Sequence, residues 1–131
     1  MHFHVIMPIG SNPHKEERQK VILDVAGECR ISPHFPRYTT EDPVFNLQST
    51  LQDLRRSEFV FADLSLERPS CYYELGLAEA LGKPVYLVAV IGTEIHQTAS
   101  RRLVNFYKDN TELAILLRGI LSEAIGNNRE R

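Results

Sequence analysis

The sequence predicts a three-layer α/β sandwich of the flavodoxin-like, Rossmann-like kind, with about five parallel strands. Three observations carry that prediction. Short apolar runs at Phe3 to Met7, Glu58 to Ala62 and Val85 to Ile91 are continuous, as in strands covered on both faces. Between and after them, apolar residues recur at helical spacing. Strand and helix signals alternate along the chain, which is the pattern of crossover connections and a parallel sheet. The 131 residues suit a single domain, 1–131.

The first strand, Phe3 to Met7, runs into Pro8-Ile9-Gly10-Ser11-Asn12-Pro13. Gly10 permits an unusual backbone angle, Ser11 adds a hydroxyl, and Asn12 is placed to cap a helix opening at Pro13. A first loop at the carboxyl end of a strand is a usual ligand position in such folds, although Pro-x-Gly-Ser is equally a plain turn. His2 and His4 share one face of the strand, but with no third ligand at a telling spacing no metal site is predicted. Pro13 to Cys29 carries Ile22, Val25, Ala26 and Cys29 on one stripe, with Lys15, Glu16, Glu17, Arg18 and Lys20 solvating its first turns.

Pro33 and Pro36 limit Ile31 to Tyr38 to a short strand near an edge. His34, Arg37 and Tyr38 are either surface polar residues or contacts to a base or phosphate. Asp42-Pro43 opens a second helix with Val44, Leu47, Leu51 and Leu54 inward, ending near Arg56. The strand at Glu58 to Ala62 ends in Asp63. Gly82 stops the helix that follows, and Val85 to Ile91 is the next strand. Gly92 to Arg102 is a polar loop, Leu103 to Tyr107 a possible fifth strand. Asp109 and Glu112 form a capping pair for a last helix that ends at Gly126.

The chemistry concentrates in ADLSLERPSCYYELGLAEALGKPVYLVAV, residues 62–90. After Pro69 and Ser70, Leu77, Ala78 and Leu81 lie at i+3, i+4 and i+7 from Glu74, which puts its carboxylate on the inward stripe of the helix. Read as a first-turn residue, Glu74 is kept ionised by free N–H groups at the helix start. Glu79 falls on the opposite, wet side. As a bare pattern, Glu74 is also compatible with a helix-dipole or salt-bridge role.

The segment ADLS…CYYELGLAEALGKPV, with HVIMPIGS near the start, resembles the nucleoside 2-deoxyribosyltransferase-like superfamily, including its nucleotide N-glycosidases. The resemblance implies cleavage of the N-glycosidic bond of a nucleoside or nucleoside 5′-monophosphate, by hydrolysis or deoxyribosyl transfer. Glu74 matches the nucleophile that attacks the anomeric carbon, and Asp63 matches an Asp near the base or sugar that serves as acid or hydrogen-bond partner. On residues alone, Asp63 is equally placed to cap the Leu64-Ser65 turn. The resemblance also implies a ligand-lining loop at Pro8, Ile9, Gly10 and Ser11, and a homodimer or higher homo-oligomer. Tyr72 and Tyr73 are candidates to steer the carboxylate or cover the ribose, only one of them facing the site because neighbouring helix residues diverge by about 100°. Ser65 and Ser70 are candidates for a 5′-phosphate.

Ser70 and Cys71-x-x-Glu74 are also similar to TIR domains, which leaves a TIR-type NAD glycohydrolase, or a non-catalytic nucleotide-binding or interaction module, as alternatives. No cofactor is implied. With 15 basic and 17 acidic residues and a net charge of -2, nothing favours nucleic acid or an anionic membrane as partner. The opening lacks a signal-peptide pattern and no run reaches the roughly 18 apolar residues of a membrane span, so the expectation is a cytosolic protein with free Cys29 and Cys71.

Overall fold

The structure is a computed structural model that describes residues 1–35 and 45–129. Its strands are β1 (His2–Ile6), β2 (Ser32–His34), β3 (Phe59–Asp63), β4 (Val85–Val90) and β5 (Val104–Tyr107). The helices are α1 (Lys15–Glu28), α2 (Leu47–Arg56), α3 (Pro69–Ala80) and α4 (Asn110–Arg129). All four strand pairings are parallel, in the order β2-β1-β3-β4-β5, giving the predicted three-layer flavodoxin-like sandwich.

Alternation along the strands divides the core in two. Phe3 and Val5 of β1 and Met7 just beyond it, Phe59 and Phe61 of β3, and Val88 and Tyr107 face α1 and α4. Ile6, Val60, Ala62, Leu87 and Ala89 face α2 and α3, where Leu54, Cys71, Leu75 and Ala78 cover them. Phe3 and Phe59, paired in register, stack at 5.1 Å on the first of these faces. No helix among the described residues is long and apolar enough to cross a membrane.

Several local expectations shift. The first helix begins at Lys15, not Pro13, because Asn12 spends its side chain on a turn, accepting from His14 N at 3.0 Å and donating to Pro8 O at 2.9 Å. The left-handed residue of that loop is Ser11 (φ 53) and not Gly10. Arg18 is buried instead of solvated: at i−4 from Ile22 it falls on the inward stripe, and its guanidinium lies 5.6 Å from the Tyr107 ring centroid. The second helix begins at Leu47, where Asn46 caps Ser49 N, while Asp42 and Pro43 lie outside the described residues.

The Asp109 and Glu112 pair forms as expected, Asp109 accepting from Glu112 N and Glu112 from Lys108 N, each at 2.9 Å. The helix that follows passes through Gly126 to Arg129, because Gly126 does not take the left-handed conformation of a helix-ending cap. Gly82 does end α3, at φ 72.

Candidate functional site

In an open parallel sheet the crevice for a ligand opens where successive connections leave on opposite faces, outside the carboxyl ends of the strands. Here that point lies between β1, whose chain continues to α1 on one face, and β3, whose chain continues to α3 on the other. The loop after β1 and the loop after β3 flank it. Arg68 ties them together, its Nη2 donating to Ser11 O at 3.2 Å.

The third helix opens at Pro69, one residue after an Arg68 N-cap that makes no side-chain capping bond. Glu74 is therefore a second-turn residue and the first turn holds no acid, so the expected support from helix-start N–H groups is not what holds it. Its side chain is 16% exposed, and Oε2 lies 3.3 Å from Nε2 of His4, which is 3% exposed in the centre of the sheet. Beside His4 on the edge strand, His34 tilts its ring at 31° with centroids 5.5 Å apart, and His34 Nε2 lies 3.1 Å from Asp53 Oδ2 of α2.

Asp63 is 2% exposed and its oxygens are already engaged. Oδ1 accepts from Ser65 N at 3.0 Å and from Ser65 Oγ at 2.6 Å, and Oδ2 accepts from the Tyr107 hydroxyl at 2.6 Å. By alternation with Phe61 it belongs to the α1/α4 face, whereas Glu74 approaches from the α2/α3 face. The turn-capping bond to Ser65 is thus present. Burial, then the charge of Asp63, then the hydrogen bond to it push the Tyr107 phenol well above its usual range, and Arg18 over the ring opposes this.

Ser65 is buried, its hydroxyl donating to Asp63 and accepting from Val90 N at 2.9 Å, while Ser70 is exposed on the first turn of α3. Tyr72 turns toward the loop after β4: its hydroxyl accepts from His96 N at 3.0 Å and its ring meets the His96 ring edge-on. Tyr73 is 53% exposed and stands edge-on to Phe45 at 4.9 Å. The two tyrosines diverge as helix geometry requires. Pro8 is buried, Ile9 half-buried, and Gly10 and Ser11 exposed. Ile9, Ser11, Asn12 and Pro13 border an open concavity of about 640 Å³ with Lys15, Glu16 and Glu17, which does not include Glu74. Arg37 and Tyr38 lie outside the described residues.

Glu79 is half-buried and not free in water. It accepts from Thr98 Oγ1 at 2.6 Å and Ser100 Oγ at 3.2 Å, anchoring the loop after β4 to α3. Glu67, at φ 54 beside Leu66 at φ 66, adds a 2.8 Å contact to His96. Cys71 is buried under α3 and its thiol is pushed up to about 12 by burial first, then by the charges of Glu74 and Asp63.

The structure thus brings together His4 with Glu74, Asp63 with Ser65 and Tyr107, and Arg68 with the first loop. Of these, His4, Arg68 and Tyr107 were not singled out as site residues from sequence. His4 carried a usable signal, a polar side chain sharing the inward face of Ile6. Arg68 and Tyr107 carried none, since their partners lie far along the chain.

No protein-family model matches the chain, and no curated protein matches its sequence. Solved structures do match. A 2-deoxyribosyltransferase from Bacillus psychrosaccharolyticus superposes with a TM-score of 0.64 at 18% identity, covering 87% of this chain and 90% of its own. A CMP N-glycosidase from Clostridium botulinum gives 0.58 at 16% identity, covering 89% and 98%. A constitutive lysine decarboxylase from E. coli gives 0.52 at 17%, covering 97% of this chain but 18% of its own. The chain shares, over nearly its whole length, the fold of the 2-deoxyribosyltransferase and the CMP N-glycosidase.

Proposed function

We propose that this protein cleaves the N-glycosidic bond of a nucleoside or nucleoside 5′-monophosphate, passing the sugar to water or to a second base, with Glu74 as nucleophile. The observation that carries the reading is the Glu74 carboxylate, mostly buried, held by His4 beside the switch point. Its fold, shared with two proteins named for 2-deoxyribosyl transfer and CMP N-glycoside cleavage, supports the same assignment.

In this scheme a Glu74 oxygen bonds to the anomeric carbon as the carbon–nitrogen bond breaks and its electron pair leaves with the base, which takes a proton from solvent. Water, or an acceptor base, then displaces Glu74 and releases the sugar. Asp63, whose oxygens are occupied by Ser65 and Tyr107, serves to fix the rim of the crevice and not as proton donor. Arg68 and the Pro8 to Ser11 loop border the sugar side, with Ser70 at the helix start available to a 5′-phosphate. Tyr73, the exposed member of the tyrosine pair, is the one able to cover a bound ribose.

The test is release of free base from a panel of deoxynucleosides, nucleoside monophosphates and NAD, with and without an acceptor base, for the parent, Glu74→Gln and the surface control Glu123→Gln. Glu74→Gln is expected to release base at least about a hundredfold more slowly, the scale for removing a principal charged group at the reacting centre. A new nucleoside formed with the acceptor marks a transferase. Parent-like turnover in folded Glu74→Gln removes the nucleophile, and a parent inactive on every compound removes the enzyme reading in favour of a binding module.

A further inference from the structure

We infer that His4 is a positioning residue for the Glu74 carboxylate, an inference that rests on the function proposed above. Its buried neighbours along the strand are apolar: Phe3, Val5 and Ile6 are all buried, and Ile6 occupies the same face, while His2 is exposed at the strand's start. A polar ring in such a place is costly unless it is hydrogen-bonded. An ionised carboxylate only accepts, so the ring nitrogen that meets it, Nε2, carries the hydrogen. The other nitrogen, Nδ1, is buried with no partner among the described residues. All of the hydrogen bonding His4 achieves is therefore spent on Glu74, at the expense of an unsatisfied atom in the middle of the sheet. A side chain present only to fill space would not carry that expense.

The ring is also held from behind. His34 lies against it from β2, at the paired register position, and is itself anchored to Asp53 on α2. Two imidazoles and two carboxylates thus span four elements, α2, β2, β1 and α3, and Glu74 stands at the end of the series. The helix carrying Glu74 is seated by Cys71, Leu75 and Ala78, which fix the backbone but leave three side-chain torsions of Glu74 free. Its contact with His4 selects among them. A positioned nucleophile gains rate from orientation alone, and a misplacement of about 1 Å costs on the order of a hundredfold.

Steady-state base release by His4→Phe and His4→Gln tests the assignment alongside melting temperature. Phenylalanine keeps the ring but has no N–H, whereas glutamine places an N–H near the position of Nε2. His4→Phe is expected to lower kcat roughly ten- to a hundredfold with KM within about threefold, and His4→Gln to restore kcat to within about threefold of the parent. Parent-like kcat in His4→Phe overturns the role, as does an equal loss in both variants, which would make ring volume the operative feature. Long-range proton–nitrogen spectra of the histidines supply a readout independent of turnover and of whether His4→Phe folds. Nε2 of His4 is expected to be protonated, and its signal to move in Glu74→Gln while the other four histidines hold; an unmoved signal overturns the contact itself. An inactive parent removes the proposed function, and the positioning role with it, whereas an active parent with indifferent His4 variants removes the positioning role alone.

Discussion

Tyr107→Phe removes one hydroxyl from the buried side of the sheet. That hydroxyl donates to Asp63 Oδ2 at 2.6 Å, with Tyr107 1% and Asp63 2% exposed, so its loss leaves a buried carboxylate oxygen without that donor. A hydrogen bond to a charged group contributes about 1.5–3 kcal/mol, which sets the expected loss at about 2 kcal/mol at pH 8. In a domain of this length that is a fall of about 6–10 °C in Tm. The pH dependence sharpens the test. Burial and the charge of Asp63 raise the phenol in the folded state, so its contribution is complete below the unfolded value of about 10 and is lost as pH climbs from there toward the folded value. Between pH 8 and pH 11 the parent should lose on the order of 1 kcal/mol through this group that the phenylalanine variant does not lose. The gap between the two therefore narrows from about 2 kcal/mol to roughly half of that. Urea unfolding followed by circular dichroism at both pH values measures it, and groups common to both proteins cancel. An unchanged gap at pH 11, or none at pH 8, refutes the reasoning.

Glu79→Ala deletes the acceptor for Thr98 and Ser100, so amide exchange across Ile95 to Arg101 should quicken while global stability moves by less than about 1 kcal/mol; slow exchange retained there would show the loop is held by other means. Cys71, buried and raised to about 12, should resist iodoacetamide at pH 8 in the native protein, with Cys29 the thiol that reacts and Cys71 following only in urea. Prompt native labelling of Cys71 would contradict that burial.

The layers and the strand direction were legible because they depend on repeats that recur within a few residues. Continuous apolar runs announce two-faced strands, and Asp109 with Glu112 announces a helix start that the backbone N–H groups of Lys108 and Glu112 then use. Glu74 was legible as an inward carboxylate for the same reason, although its turn is misplaced by beginning the helix at Cys71, after Pro69 and Ser70, instead of at Pro69. What long-range contacts decide was not legible. Arg18 was read as solvated from its charge, yet its position four residues before Ile22 put it on the buried stripe, where Tyr107 receives it. Glu79 reads as wet because it falls on the side of the helix away from Glu74, and its partners come from a loop whose path no local pattern fixes. Asp63 was placed at the correct end of its strand, but which face it would serve depended on register, and a single residue of alternation separates it from the Glu74 side.

The position of the first strand has a further consequence for how this molecule comes to exist. Parallel neighbours cannot be joined by a hairpin, so each pairing waits for a crossover segment to be completed. Residues 2–6 form a central strand, paired on one side with residues 32–34 and on the other with 59–63. This strand thus precedes both of its neighbours in the sequence, and Phe3, Val5 and Ile6 lack sheet partners on both sides until β2 and β3 have followed. Closing loops of this span costs entropy before the pairing rewards it, which makes parallel pairing slow compared with local helix formation. Until β3 and α3 have docked, His4 has no carboxylate to meet, so the contact between His4 and Glu74 exists only in chains in which those later segments are in place.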